Sequence, residues 1–514
     1  MCCRKTRKGG PQVDVAYLLR RAAHEHPTST AVEDARRSLP LGALVARGEA
    51  LANALDSMGV ADDAPVGILS ENRTEYLEAD TAIALGRRVR VALNSRLHLE
   101  DHRFVVLDSG MQVLFHSADQ AGVAAALREE FGLLTIAFDV GDDVSPWYED
   151  LITRCAGTTA RSRPSDEEDP AWITYTSGTT GRPKGIVLSH RAIREVAFNL
   201  LLELGPPHVG EQVVLTQALS HGAGYFTLPY LLNGAGVYLV SHFDPEEVWE
   251  VSTRENVHTL KIVPAMLPPL LDHEGGEWGY DTVIYGASPI SGSVLERALD
   301  RFGPTLVQIY GQSEAPMTIT CLHKHDHLLE SARGSAGRPW RSVELEVRDA
   351  RGSVVAPGVI GEVFVRGRHM MTGYHQNPQA TEAAVVDGWI RTKDLARVDE
   401  HGFIHLQGRL DDIINSGGYN IAPREVEDVL AQNAAVKEVV VLGVPDERWG
   451  SAVTAVVEVD PRTPTTEEEL IAYAKPRLGL RTPKRVLFLD EIPRTAYGKV
   501  DRTALLAQVE VAVQ

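Results

Sequence analysis

Thr174-Tyr175-Thr176-Ser177-Gly178-Thr179-Thr180-Gly181-Arg182-Pro183-Lys184-Gly185 grows out of an apolar run, Ala171 to Tyr175. The run predicts a buried strand. The segment leaving it gathers glycines, hydroxyl side chains and a lysine into a short stretch. That combination makes a cradle for phosphate: glycines let backbone N–H groups approach oxygens closely, hydroxyls donate further hydrogen bonds, and the lysine adds a charge. It is not a Walker A loop, because no G-x-x-x-x-G-K-[ST] is present. A generic Gly/Thr surface loop would rarely concentrate these types directly after a buried strand.

Working outward, short apolar runs followed by helical periodicity recur at Val66–Leu69, Val113–Phe115, Val213–Leu215, Val237–Val240 and Val283–Tyr285. This alternation predicts an α/β fold with largely parallel sheets. Residues 12–60 read as helices, from Val15, Leu18, Leu19 and Ala22 and from Leu51, Leu55 and Met58. Ser70-Glu71-Asn72 reads as the cap of the helix fed by Val66–Leu69. Arg161–Pro170 is a charged, proline-bracketed loop. From about residue 335, short alternating strands at Val343–Val347, Gly361–Val365 and Gly402–Leu406 predict a β-rich lobe. A boundary falls at Gly408-Arg409-Leu410-Asp411-Asp412, giving a large N-terminal domain over 1–410, of stacked α/β sheets plus the β-rich lobe. A small, mobile α+β C-terminal domain spans 411–514.

With 514 residues, more than one domain is the default expectation. A net charge of −19 argues against nucleic-acid binding, which needs a basic footprint. Cys2, Cys3, Cys155 and Cys321 form neither a metal-ligand array nor a disulfide framework. The basic start MCCRKTRKGG has no apolar core behind it, and no stretch is long enough to span a bilayer. A soluble protein of the reducing cytoplasm, with no membrane partner, is expected.

TYTSGTTGRPKG resembles the phosphate loop of the adenylate-forming superfamily: acyl- and aryl-CoA ligases, peptide-synthetase adenylation domains and luciferases. Five further segments resemble that family's motifs in the same order. They are Tyr310-Gly311-Gln312-Ser313-Glu314; Gly361-Glu362 with Gly373-Tyr374; Thr392-Lys393-Asp394; Gly408-Arg409-Leu410-Asp411-Asp412 with Ser416-Gly417-Gly418-Tyr419-Asn420-Ile421; and Pro493-Arg494-Thr495-Ala496-Tyr497-Gly498-Lys499-Val500. The pattern is closest to the bacterial acyl- and aryl-CoA ligases.

The resemblance implies ATP-dependent conversion of a carboxylic acid to an acyl-adenylate with release of pyrophosphate, and then displacement of AMP by a thiol. Joining two anions calls for positive charge and a metal at the α-phosphate. By resemblance, Thr176, Ser177, Gly178, Thr179, Thr180, Gly181 and Lys184 would hold the β- and γ-phosphates. Glu314 would bind Mg²⁺, and Ser313 would contact the α-phosphate. Tyr310, with Gly311 and Gln312, would bind adenine, and Gly286-Ala287-Ser288 would line its other face. Asp394 would accept the ribose hydroxyls, assisted by Arg409. Lys499 would bridge the carboxylate and the α-phosphate. Asp411 would be the hinge, and Gly417-Gly418 would flank the thiol channel. Ser313 keeps the hydroxyl of the family's usual Thr, Lys393 stands where the family has Gly, and Asp411 where many relatives have Lys.

His221 falls where acyl- and aryl-CoA ligases place a gating residue. No acid occupies Ala218–Tyr225 to pair the ammonium of an α-amino acid. The remaining acid pocket is expected from Phe198, Asn199, Tyr225, Ala287, Gly311, Ala315 and Met317. The small residues at 222–224 and 311–315 leave room for a flat ring, which favours a benzoate- or cinnamate-like acid over a medium-chain fatty acid or a small dicarboxylate. Coenzyme A is the expected acceptor, with a free-standing carrier protein as the alternative. Two other functions fit the same scaffold: activation of nitrite to diazotise an aromatic amine, and regulatory nucleotide binding without catalysis. The intact Lys184, Glu314, Asp394 and Lys499 argue against the latter.

Overall fold

A computed structural model describes residues 13–140, 145–160, 165–176, 183–459, 462–495 and 500–513, and counts below refer to these. Two large sheets build the N-terminal domain. One has nine strands, in the order Arg338–Pro339, Thr320–Leu322, Leu306–Tyr310, Thr282–Gly286, Val257–Ile262, Gln212–Leu215, Gly236–Leu239, Thr30–Asp34, Ser38–Pro40. Its six strands from Leu306–Tyr310 to Thr30–Asp34 run parallel, and the outer strands are antiparallel. The other has seven, in the order Gly373–Tyr374, Lys184–Ser189, Pro170–Thr176, Val89–Leu93, Pro65–Leu69, Val113–His116, Leu134–Ala137. The parallel strands are largely apolar because both faces are covered, as in Gln212–Leu215 and Gly236–Leu239, where every residue is buried.

A shared core joins the sheets. It holds Ile68 and Phe115 from one, Leu215 and Ile284 from the other, and Leu18, Leu51, Leu77 and Val196 from helices Val15–Glu25, Leu41–Ser57, Thr74–Leu85 and His190–Leu204. Side-chain caps fix two of these helices: Asp14 accepts from the Tyr17 N–H, and Ser189 from the Ala192 N–H. An antiparallel five-stranded sheet, in which Gly361–Arg366 and Ile404–Arg409 both pair with Trp389–Val398, forms the β-rich lobe.

The smaller C-terminal domain pairs Val436–Asp446, Gly450–Val459 and Arg485–Phe488 in one sheet and Ile414–Ser416 with Tyr419–Ile421 in another. Helices Pro423–Leu430, Glu467–Leu478 and Arg502–Val513 accompany them.

Two expectations are corrected. Between the first two helices the chain makes the antiparallel strands Thr30–Asp34 and Ser38–Pro40, so residues 12–60 are not wholly helical. Asn72 caps nothing: the N-cap is Arg73, whose side chain makes no capping hydrogen bond. The Asn72 amide instead crosses to the nine-stranded sheet, donating to the carbonyls of Gln217 at 2.8 Å and Val240 at 3.1 Å.

Candidate active site

Sheet register explains how residues far apart in sequence meet. In the antiparallel pair Trp389–Val398 and Ile404–Arg409, Asp394 stands opposite Arg409. Arg409 Nε donates to Asp394 Oδ1 at 3.2 Å. Oδ2 of the same carboxylate accepts from Tyr310, at the C-terminal end of its strand, and from Gln312 Nε2 at 2.6 Å. Gln312 also reaches the Thr392 carbonyl at 2.8 Å, and Thr392 Oγ1 accepts from the Asp394 N–H at 3.1 Å. A carboxylate has about four acceptor sites, so these three side-chain donors hold Asp394 in one orientation and leave it capacity for a ligand hydroxyl. Burial opposes the Arg409 charge, yet Asp394 keeps its pKa above that of an ordinary arginine. Burial, reinforced by Asp394, raises the Tyr310 phenol well above its usual value, so it remains a donor.

The residues expected around the phosphates form a second chain of contacts. Lys184 opens a strand that pairs with Gly373–Tyr374, and its Nζ lies 5.2 Å from the centre of the Tyr374 ring. Tyr374 donates its hydroxyl to Glu314 Oε1 at 2.8 Å, and the Met371 N–H donates to the Glu314 carbonyl at 2.8 Å. Burial and the Glu314 charge both push the Tyr374 phenol up. A cavity of about 420 Å³ opens beside Lys184, Gly185, Tyr374 and His375. Ser313 and Glu314 sit in a tight turn closed by paired hydrogen bonds between Gln312 and Ala315. Gly311 is required before it, since a Cβ there would lie 2.4 Å from the Met317 nitrogen. Gly286 pairs with Ile309, which puts Gly286-Ala287-Ser288 beside Tyr310; Ala287 is exposed at φ 71°.

The residues expected to line the acid pocket are placed as follows. Gly222 faces Met317: a Cβ at Gly222 would sit 3.5 Å from its sulfur and methyl. Half-buried His221 precedes it, its Nδ1 2.9 Å from Ser220 Oγ. Tyr225 is buried, its ring 5.0 Å from that of Trp172. Asn199 donates to Thr318 Oγ1 at 3.1 Å and accepts from Ser342, so its amide ties a helix to two loops. Ala315 is fully buried in the shared core. Phe198 is 40% exposed, because its helix turns Val196, Ala197 and Leu200 inward. The small size of Ala223 and Gly224 leaves no room for a ring either. Ala223 is fully buried, and a Cβ on Gly224 would strike the Leu219 carbonyl at 2.4 Å.

Two side chains that sequence reasoning missed clamp the loop ahead of His221. Asn72 Oδ1 accepts from the Leu219 N–H at 2.8 Å. Arg90, 1% exposed, donates to the Leu219 carbonyl at 2.5 Å and to Tyr76 at 3.2 Å, and pairs with Asp80 at 3.3 Å. Its guanidinium lies 4.1 Å from the centre of the Trp172 ring.

At the end of the lobe, Lys393 adopts φ 60°, the left-handed conformation suited to the family's usual glycine, and pairs with Asp411 at 2.9 Å. Gly417 and Gly418, both left-handed, make the turn between Ile414–Ser416 and Tyr419–Ile421. Thr176 ends the strand Pro170–Thr176. Ser177, Gly178, Thr179, Thr180, Gly181 and Lys499 lie outside the described residues. Among the described residues no helix is long and apolar enough to cross a membrane.

A family model described as AMP-binding enzyme matches residues 19–375, and one described as AMP-binding enzyme C-terminal domain matches 425–499. The chain is 36% identical to a medium/long-chain-fatty-acid–CoA ligase of Mycobacterium tuberculosis, over 91% of this chain and 85% of that protein. It is 35% identical to a feruloyl-CoA synthase of Amycolatopsis sp, over 93% and 96%. Among solved structures, the amide bond synthetase McbA from Marinactinospora thermotolerans superposes with a TM-score of 0.89 at 28% identity, covering 96% of this chain and all of that one.

Proposed function

Because the chain belongs to the AMP-binding enzyme family, the adenylate-forming superfamily, as an AMP-forming acyl/aryl-CoA ligase, we propose that its acid is aryl, of benzoate or cinnamate type, and that coenzyme A accepts the acyl group. The coarser activity is that of the family: a carboxylic acid is activated with ATP as an adenylate and passed to coenzyme A. The observation that carries the aryl reading is the Gly222–Met317 contact, where a residue without a side chain faces a flexible thioether. The likeness to a feruloyl-CoA synthase agrees with it.

In this reading Tyr310 and Gly286-Ala287-Ser288 bind adenine, and Asp394, oriented by Gln312 and Arg409, takes a ribose hydroxyl. Residues 176–181 and Lys184 hold the β- and γ-phosphates. Among the described residues no three acidic, histidine or cysteine side chains cluster as a resident metal site. A single carboxylate, Glu314, suits Mg²⁺, which binds through one or two carboxylates together with substrate phosphates. The ion would supply charge neutralisation at the phosphates. Tyr374 orients the Glu314 carboxylate.

The acid's carboxylate oxygen attacks the α-phosphorus and pyrophosphate leaves, with Ser313 and Lys499 neutralising the charge that accumulates. The thiol sulfur then attacks the acyl carbon and AMP leaves. We place the domain boundary at 410/411. Rotation about Asp411 exchanges Lys499 for the Gly417-Gly418 turn between the two steps, and His221 gates the acid pocket.

Pyrophosphate release from Mg-ATP is the test, across benzoates, cinnamates, alkanoates and dicarboxylates with and without coenzyme A, plus nitrite with aminoaryl acids. Aryl acids should exceed alkanoates of equal size at least tenfold in kcat/KM, and coenzyme A should accelerate turnover. Equal rates for alkanoates would overturn the aryl assignment. A signal confined to nitrite would overturn acid activation.

A further inference from the structure

Lys261 lies in the Val257–Ile262 strand, in the middle of the nine-stranded sheet, and is 1% exposed. Its strand neighbours Leu260 and Ile262 belong to the core on the far side of the sheet. Lys261 therefore points to the side where its register partners Leu215 and Ile284 join the shared core. An aliphatic row is interrupted by an amine.

The ammonium has three donors, and the structure gives it one acceptor, the carbonyl of Ile262 at 3.0 Å. Its other close neighbour is the Phe226 ring, 5.9 Å away. Among the described residues no acidic side chain pairs with it, and burial alone pulls its pKa down to about 7. Long basic side chains are rarely buried without a partner.

Its position says what the unused donors face. Lys261 is one residue from the C-terminal end of its strand, and ligands of parallel α/β sheets bind beyond those ends. The strands on either side continue into the segments already assigned to the site: Gln212–Leu215 into the loop bearing His221 and Gly222, and Thr282–Gly286 into Gly286-Ala287-Ser288. Thr216, the first residue of the former loop, donates to the Lys261 carbonyl at 2.9 Å. Phe226 closes the short helix Gly222–Phe226 of the same segment.

We propose that Lys261 determines acid specificity, its ammonium at the floor of the acid pocket holding a second carboxylate at the end of the substrate remote from the carboxyl that is activated. This rests on the acid-activation reading and narrows its substrate class to diacids. The oxyanion supplies the acceptor that the protein lacks, and the apolar row around the amine excludes water from the pair.

Matched acids test it: 4-methylcinnamate against 4-carboxycinnamate, and alkanoates against dicarboxylates of equal length, with wild type and Lys261→Met. Each is read by pyrophosphate release and, without ATP, by the shift in melting temperature the acid produces. Wild type should favour the carboxylated member at least tenfold in kcat/KM. Lys261→Met should lose that preference while keeping or improving its rate with the methyl acid. Equal loss with both acids, or no preference in wild type, would overturn the assignment. If no acid releases pyrophosphate, the acid-activation reading falls by itself. Lys261 is then judged by the melting shift: a shift by the diacid alone that disappears in Lys261→Met sustains it, and equal shifts by both acids refute it.

Discussion

Arg90 and Lys261 are both cations set within parallel strands, one in each large sheet, and both are 1% exposed. Arg90 is met by the Asp80 carboxylate, the Tyr76 hydroxyl, the Leu219 carbonyl and the Trp172 ring. Lys261 is met by one carbonyl and one aromatic ring. A buried charge that the protein satisfies from several sides organises structure, and one left with unused donors has capacity for a ligand. The pKa values diverge accordingly. Burial opposes both charges, but Asp80 and Tyr76 leave Arg90 above an ordinary arginine, and nothing restores Lys261.

Breaking the satisfied cation should have the largest effect. Arg90→Met strands Asp80, whose pKa burial already raises despite Arg90, and removes an anchor of the loop that leads to His221. The expected loss is about 3–5 kcal/mol of stability by chemical denaturation. The KM for the acid should also rise by about tenfold, because Leu219 loses one of its two side-chain hydrogen bonds among the described residues and keeps that to Asn72. An unchanged denaturation midpoint would mean that the Arg90 network is not structural. An unchanged KM would mean that Asn72 alone fixes the loop.

Removing the unsatisfied cation should act in the opposite direction. Lys261 carries a folded-state pKa of about 7 against 10.5 for a free lysine. Below pH 7 the amine is charged in both states, and the folded protein bears the full burial cost. Between about pH 7 and 10.5 the folded state binds fewer protons than the unfolded one, so this group's contribution to stability rises with pH. Lys261→Met should therefore be more stable than wild type at and below neutral pH, by up to about 5 kcal/mol. The advantage should shrink steadily towards pH 10. A difference independent of pH would show that the lysine has an acceptor strong enough to keep it charged.

Both cations show where the sequence was readable. The strands were legible because parallel strands covered on both faces are continuously apolar, as at Val213–Leu215 and Val283–Tyr285. The same logic held a signal that was passed over: Arg90 and Lys261 interrupt such runs, and a charge within a buried strand must find a partner. The Thr30–Pro40 hairpin was hidden because a three-residue strand, Ser38–Pro40, carries little periodicity between two helices. Motif resemblance puts Arg409 beside Asp394, and strand register supplies the physical basis of that pairing; the Tyr310–Asp394 bond was not foreseen. Nor was the Tyr374–Glu314 bond, since it spans 60 residues and depends on the pairing of Gly373–Tyr374 with the strand that begins at Lys184. Phe198 and Asn199 were both placed in the acid pocket, yet adjacent helical residues point about 100° apart, and Asn199 is the one turned inward.

The smallest effect concerns a third cation, Lys393, whose side chain is 55% exposed and whose partner Asp411 is 40% exposed. An exposed pair contributes about 0–1 kcal/mol, and a lysine held at φ 60° costs about 1 kcal/mol relative to glycine. These terms nearly cancel, so Lys393→Gly should leave the denaturation midpoint almost unchanged. Its consequence is kinetic if Asp411 is the hinge, because the pair links the Asp394 strand to the residue about which the C-terminal domain turns. Salt at about 0.5 M screens an exposed pair, so raised salt and Lys393→Gly should have the same effect. Each should change the coenzyme A-dependent step by about two- to threefold and leave pyrophosphate release in the first turnover unaltered. Combining them should add nothing further. If salt still shifts the second step in Lys393→Gly by the same factor, the pair does not restrain the hinge, and Lys393 is only a tolerated substitute for glycine.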